Sequence, residues 1–348
     1  MKETEILCIG NPLVDIFTEV DNSFALKYGI RDHVQHIDRD KADLILNDSD
    51  IDFSKAVKTS GGGAANVAKI SAMLGMKSAF MGCVGRDDLA EFFENEIKNA
   101  GVSTRLIQTD GKTGLCFACG VAGVTRFAAS PGAALDLTES EIDDEMIKNA
   151  EVVVVDGFIL DRRYLVQHVL KTASKSGIPV ALDAASVMQV RSKAEEILTY
   201  SRSYPLFLFM NADETLVFYN TIRKNNEDTI NLPEKEKETV ILRDICPMLK
   251  IITDGELFPI IVVKLGGRGA VIIAGGNIYR EETYAVVPRN TVGAGDTFCA
   301  AFISAWIRGM SISECAALGN KVAREILEVP GTFIKSGKLK SFAKMLQK

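Results

Sequence analysis

Asn290-Thr-Val-Gly-Ala-Gly-Asp-Thr-Phe298, which runs directly into an apolar helical pattern, is the stretch on which the reading of this chain turns. Gly293 and Gly295 permit close backbone approach. A helix starting beside them aims free N–H groups and the positive end of its dipole at whatever lies in front. That is a cradle for phosphate. Asp296 stands one residue beyond it, where a carboxylate would repel phosphate unless it had a task of its own, and accepting the proton of an attacking hydroxyl is such a task. The same residues also suit a glycine-rich turn followed by an N-capping Asp, so this stretch alone leaves two readings open.

Outward from it, short apolar runs alternate with amphipathic segments. Glu5–Gly10, Ser78–Val84, Glu151–Asp156, Ile178–Asp183, Pro205–Met210 and Pro259–Leu265 have the Val/Ile/Leu-rich character of strands buried on both faces. Helical patterns over Ala64–Leu74, Asp87–Ala100, Asp161–Ser176, Asp213–Arg223 and from Ala294 onward follow most of them. The alternation predicts an α/β protein with a mainly parallel central sheet and helices on both faces. Leu13–Val20 and Thr104–Ala128 break it, because they alternate polar and apolar residues with no helix between. A small antiparallel sheet projecting as a lid, built from about 13–50 and 104–128, is the expectation, and water exclusion is its natural use. No boundary divides the chain, so residues 1–348 are read as one domain.

Four further segments fall at strand ends. Thr59-Ser-Gly-Gly-Gly-Ala-Ala-Asn-Val-Ala68 opens a helix with three glycines, and Asn66 offers both a donor and an acceptor to a substrate's hydroxyls; a plain strand-to-helix turn is the alternative. Gly10-Asn-Pro-Leu-Val-Asp15 leaves the first strand at its C-terminal end, where ligands bind in open α/β sheets, although Asp15 could be an ordinary turn carboxylate. Asn211-Ala-Asp-Glu214 suits Mg²⁺, which takes few protein ligands and keeps most of its waters, and suits a helix-start capping pattern as well. Lys264-Leu-Gly-Gly-Arg-Gly269 is a glycine turn that either admits a nucleotide or only joins two strands. The chain has no GxxxxGK[ST] loop, no GxGxxG fingerprint and no protein-kinase HRD with DFG.

Composition narrows the classes. At 348 residues, 47% hydrophobic and 25% charged, the chain can bury a large core. A net charge of −6 argues against binding nucleic acid through phosphate contacts, which needs a clustered basic surface. The charged start, Met1-Lys2-Glu3-Thr4-Glu5, lacks the apolar core of a signal peptide. The apolar run Thr297–Ile307 is too short to span a bilayer of roughly 30 Å. Seven scattered cysteines suit a reducing compartment, and Cys116 and Cys119, three apart on a strand, face opposite ways. The expectation is a cytoplasmic protein. The polar segment Asn225–Glu238 reads as a solvated surface excursion.

Taken together, these residues closely resemble the ribokinase family, also called the phosphofructokinase-B family, which includes adenosine kinases and fructokinases. The resemblance runs from Gly10 to about Gly331. It is carried by GGGAANVAKISAMLG at Gly61–Gly75 and NTVGAGDTFCAAF at Asn290–Phe302. It implies a three-layer α/β/α sandwich with a β-lid, use of ATP and Mg²⁺, and phosphorylation of a primary alcohol. By the resemblance Asp296 is the base, while Gly293, Ala294 and Gly295 form the anion hole. Asp15, Gly62 and Asn66 match binders of substrate hydroxyls. Asn211 and Glu214 match an NxxE element that organises Mg²⁺, Glu214 through water. Lys264, Gly266 and Gly269 match the nucleotide turn, and Asn320 the adenine pocket. The acceptor is a sugar or a nucleoside. Gly10–Ile16 and Asp156-Gly-Phe-Ile-Leu160 look most like adenosine kinases, with Phe158 able to contact a base; Arg126 followed by Pro131-Gly-Ala133 is a lid pattern shared with sugar kinases. Gly63 replaces the lysine of ribokinases, which disfavours ribose. Asn290 stands where most relatives have Asp, so weak or absent K⁺ activation is expected. Monomer and homodimer are both compatible.

Overall fold

The computed structural model describes residues 2–30, 35–51, 53–121, 124–225, 229–254, 259–284, 286, 292–327 and 336–346. Fourteen strands among them form two sheets. The larger holds β1 (Ile6–Ile9), β5 (Ser78–Val84), β6 (Ser103–Gln108), β9 (Val152–Asp156), β10 (Val180–Asp183), β11 (Leu206–Asn211), β12 (Ile260–Lys264), β13 (Ala270–Ala274) and β14 (Asn277–Glu281). Their order is β14-β13-β12-β11-β10-β9-β1-β5-β6. Every pair from β6 to β12 is parallel, and only the β12–β13 and β13–β14 hairpins are antiparallel.

The reason for continuous apolar strands is plain in β1. Its neighbours are β5 and β9 and all four of its residues are buried. Ile6 and Cys8 enter the core on one face of the sheet, Leu7 and Ile9 the core on the other, following the period of two. Helices α3 (Gly63–Met73), α11 (Ala294–Ile307) and α12 (Ile312–Leu327) close the first core, with Phe302 edge-on to Phe209 of β11 at 5.6 Å. On the opposite core lie α6 (Arg163–Lys175), α7 (Val187–Ser203), α8 (Ala212–Arg223) and α10 (Cys246–Thr253). The architecture is therefore the expected α/β/α sandwich. A methyl on Gly319 would lie 2.8 Å from the Phe298 ring, so the glycine lets α12 approach α11 and brings Asn320 beside the α11 start.

The second sheet contains β2 (Leu13–Glu19), β3 (Gln35–His36), β4 (Val57–Gly61), β7 (Gly114–Val121) and β8 (Val124–Ser130), in the order β3-β8-β7-β2-β4. Helices α1 (Asn22–Lys27) and α2 (Arg39–Leu46) pack on β7 and β8. Three corrections to the expected lid follow. Ser103–Gln108 pairs in parallel with β5 in the large sheet, because it follows helix α4 (Asp88–Asn99) and completes a crossover unit. Val57–Gly61, beyond the expected boundary at 50, pairs with β2 instead. The small sheet is also mixed rather than antiparallel: β2–β7 and β3–β8 are parallel.

The polar 225–238 segment departs from a purely solvated excursion, its residues 226–228 lying outside those described. Past the short helix α5 (Asp144–Lys148) and α8, helix α9 (Glu234–Val240) buries Lys237 against Asp213 at 2.6 Å and Glu234 at 3.0 Å. Glu238 is shared by Arg268 and Arg280, each at 2.7 Å. These charges are half-buried and paired, tying α9 to the turn after β12. The last helix, α13 (Ser336–Met345), closes the described chain, and no described helix is long and apolar enough to cross a membrane.

Candidate active site

The C-terminal ends of the parallel strands carry polar residues where their apolar runs stop. Asp156 lies in register with Asp183, and Asn211 with Lys264, so β9 to β12 present a row of polar side chains along one edge. The small sheet leaves β1 at this same edge through Gly10–Pro12 and carries Asp15 on β2.

Helix α11 opens at Gly293, whose φ of 73° favours glycine, and among the described residues no side chain caps its first turn. The N–H groups of that turn, from Ala294, Gly295 and Asp296, are thus left to face an anion. Asp296 accepts a 2.9 Å hydrogen bond from Asn66 Nδ2 of α3, joining residues 230 positions apart. Burial pushes the Asp296 carboxyl up to about 7; the charges of Asp183 and Asp156 push the same way, while the Asn66 hydrogen bond and Lys264 pull it down. A pKa so far above the ordinary carboxylate range suits a proton acceptor.

Asp15 is buried, its carboxyl lying directly over Gly61, where a methyl would stand 2.3 Å from it. Burial raises its pKa to about 7, Lys69 opposes this, and Asp296 and Glu96 add to it. Gly62 begins α3 at φ 97°, with the Asn11 carbonyl 2.1 Å from where any side chain would start. Asn66 keeps Oδ1 buried and, among the described residues, without a hydrogen-bond partner. Asp15, Gly62, Asn66 and Asp296 are therefore brought together at one place.

Asn211 and Glu214 form the reciprocal capping box that was their alternative reading: Asn211 N–H and Nδ2 each donate to Glu214 at 2.8 Å, and Glu214 N–H donates to Asn211 Oδ1 at 2.9 Å. Burial raises Glu214 to about 7, against the pull of Lys264. Both Glu214 oxygens being engaged, a Mg²⁺ contact through water fits better than direct ligation. Lys264 pairs with Asp183 at 2.6 Å. Burial works against its charge, but Asp183 and Glu214 outweigh burial and hold the ammonium above its usual range. Its Nζ lies 3.0 Å from where a Gly295 methyl would be, at the edge of the α11 cradle.

Two clefts flank this cluster, and neither is lined by Asp15, Gly62, Asn66 or Asp296 themselves. One of about 320 Å³ is lined by Lys264, Gly266, Gly269, Ala294, Gly295, Phe298 and Asn320. The other, of about 740 Å³, is lined by Asn11, His36, Leu135, Phe158, Arg162 and Met188 among others, and reaches Asn211 and Glu214. His36 of the small sheet stands edge-on to Phe158 at 6.0 Å, and Asp156 Oδ1 fixes that turn by accepting from Phe158 N–H at 2.7 Å. Arg126 does not line this cleft; it sits on β8 opposite Cys119, and the arginine that does is Arg162, which donates to Asn11 Oδ1 and to the Ala134 carbonyl. Asn290 lies outside the described residues. Cys116 and Cys119 are free and buried.

Sequence reasoning passed over Asp156, Asp183, Lys69 and Arg162. The first two had a signal, since each ends an otherwise apolar run, VVVVD and VALD.

Comparison with known proteins gives first the class. The chain is 27% identical over 293 residues to the 5-dehydro-2-deoxygluconokinase of Bacillus subtilis (strain 168), covering 78% of this chain and 80% of that one. It is 25% identical over 349 residues to the adenosine kinase of Schizophyllum commune, covering 96% and 98%. A probable sugar kinase from Rhizobium etli CFN 42 has the same fold, with TM-score 0.82, 24% identity and coverage of 100% and 99%. These are kinases, and this chain is a phosphotransferase acting on a hydroxyl group. The family model for the pfkB family carbohydrate kinases matches residues 31–337, and the chain belongs to that family.

Proposed function

We propose that the chain transfers the γ-phosphoryl group of ATP to the primary hydroxyl of a nucleoside. The observation that carries the choice of acceptor is the 740 Å³ cleft, where Phe158 and edge-on His36 flank an apolar mouth holding Leu135 and Met188, 55% and 65% exposed. A flat base would cover this surface, and its burial favours binding by about 25 cal/mol per Å². A free sugar leaves it wet.

In this reading the smaller cleft takes the nucleotide, with Gly266 and Gly269 admitting its backbone, Asn320 facing the adenine, and the N–H groups of Gly293, Ala294 and Gly295 meeting the transferring phosphoryl group. ATP would supply that group, and Mg²⁺, which Glu214 would hold as Asn211 orients it, would neutralise its charge. Asp15, Gly62 and Asn66 hold acceptor hydroxyls. Asp296 receives the proton as the acceptor oxygen attacks. The small sheet excludes water as a lid.

One observation favours a sugar instead: the relative from Bacillus subtilis is named for a sugar-derived acceptor. The test is ATP consumption with adenosine, other nucleosides, fructose, ribose and 5-dehydro-2-deoxygluconate. Adenosine or another nucleoside is expected to lead in kcat/KM by at least about tenfold, the worth of a modest extra apolar burial. Equal or better turnover of a free sugar would replace this acceptor class.

A further inference from the structure

Ser60 sits on β4, the edge strand of the small sheet, one residue before Gly61, and its two backbone groups are held by side chains from the main body. Glu96 of α4 accepts from Ser60 N–H, and Lys69 of α3 donates to the Ser60 carbonyl. Lys69 is only 9% exposed, a costly place for an ammonium without neighbouring charge. It lies one turn after Asn66, the residue bonded to Asp296. The strand it grips continues into Gly61, the floor under Asp15. A buried cation thus stands where the catalytic helix start, the edge of the small sheet and Asp15 meet.

We infer that Lys69 is a positioning residue of the acceptor site: its grip on Ser60 fixes the Gly61 floor, and its charge lets Asp15 meet the acceptor as a carboxylate. This rests on Asp15 being an acceptor ligand, as proposed above. The groups facing Asp15 agree with it. Asp296 from α11, Glu96 from α4 and the Cys116 thiol of β7 all disfavour its charge or lie beside it, and among the described groups acting on it Lys69 alone favours ionisation. Both functions are separable by substitution. Gln at 69 keeps a donor for the Ser60 carbonyl and loses the charge, Arg keeps both, and Met loses both.

The test uses the full chain with saturating ATP and adenosine as acceptor, or fructose should adenosine not be turned over. Lys69→Gln is expected to raise the acceptor KM at least about tenfold with kcat and the ATP KM within about twofold, and Lys69→Arg to restore it. Losing the cation lifts the Asp15 pKa further, so the acid limb of acceptor kcat/KM should move to higher pH. Lys69→Met adds the lost grip, and if it fails to fold, the Gln and Arg variants still decide. A wild-type acceptor KM in Lys69→Gln overturns the inference, as does an ATP KM that rises as much as the acceptor's. Asp15→Asn is run beside them. If it leaves the acceptor KM unchanged, the assignment of Asp15 itself fails; if it raises KM while Lys69→Gln does not, only the role of Lys69 fails.

Discussion

Asp296→Asn is expected to lower kcat by about 10²–10⁴-fold, the usual contribution of a positioned proton acceptor. Asn has nearly the same shape and can keep the contact to Asn66 Nδ2 by offering its amide oxygen, but it cannot take a proton. The uncapped start of α11 and Lys264 at its edge are untouched, so phosphoryl positioning and nucleotide affinity should survive. Removing a buried carboxyl whose charged form is disfavoured also leaves thermal stability close to wild type. In the wild-type enzyme the reactive form is the carboxylate, and with the pKa raised to about 7, kcat at saturating acceptor should climb as pH rises through that value. The climb should be absent from the residual rate of the Asn variant. If the folded variant keeps more than about a tenth of wild-type kcat, Asp296 is not the base.

The sheet was legible because strands buried on both faces must be apolar throughout. Ser78–Val84 was bounded to the residue, and the other expected strands of the large sheet to within two. The small sheet was harder. Ser103–Gln108 mixes polar and apolar residues as β2 does, since it lies at the edge of the large sheet with every residue at least partly exposed, and only its partner β5 tells the two apart. Val57–Gly61 hides at the head of a glycine loop whose helix start dominated the pattern. At the site, glycine turns and strand-end polar residues pointed to Asp15, Asn66, Lys264 and Asp296. Lys69 gave no signal, because a lysine on a helix is ordinarily solvated and only packing against Ser60 buries it. Arg126 misled for the opposite reason: an arginine before Pro131 fits a lid pattern, but its register with Cys119 sets it away from the cleft.

Gly61→Ala should separate acceptor binding from folding. A methyl there would lie 2.3 Å from Cγ and both oxygens of Asp15, and the obstacle is the end of a side chain, which can swing away. Gly61 is not in the left-handed region, so the backbone accepts alanine and the fold should persist. The displaced carboxylate, however, no longer reaches the acceptor. Losing a hydrogen bond to a charged group costs about 1.5–3 kcal/mol, so acceptor kcat/KM should fall roughly 10- to 100-fold while the ATP KM stays near wild type. Gly62→Ala one residue on is the contrast. There φ is 97° and the methyl would meet the Asn11 carbonyl at 2.1 Å, backbone against backbone, so stability and activity should fall together. A Gly61→Ala enzyme that binds acceptor as tightly as wild type would mean that Asp15 does not hold it, whatever the Gly62→Ala enzyme does.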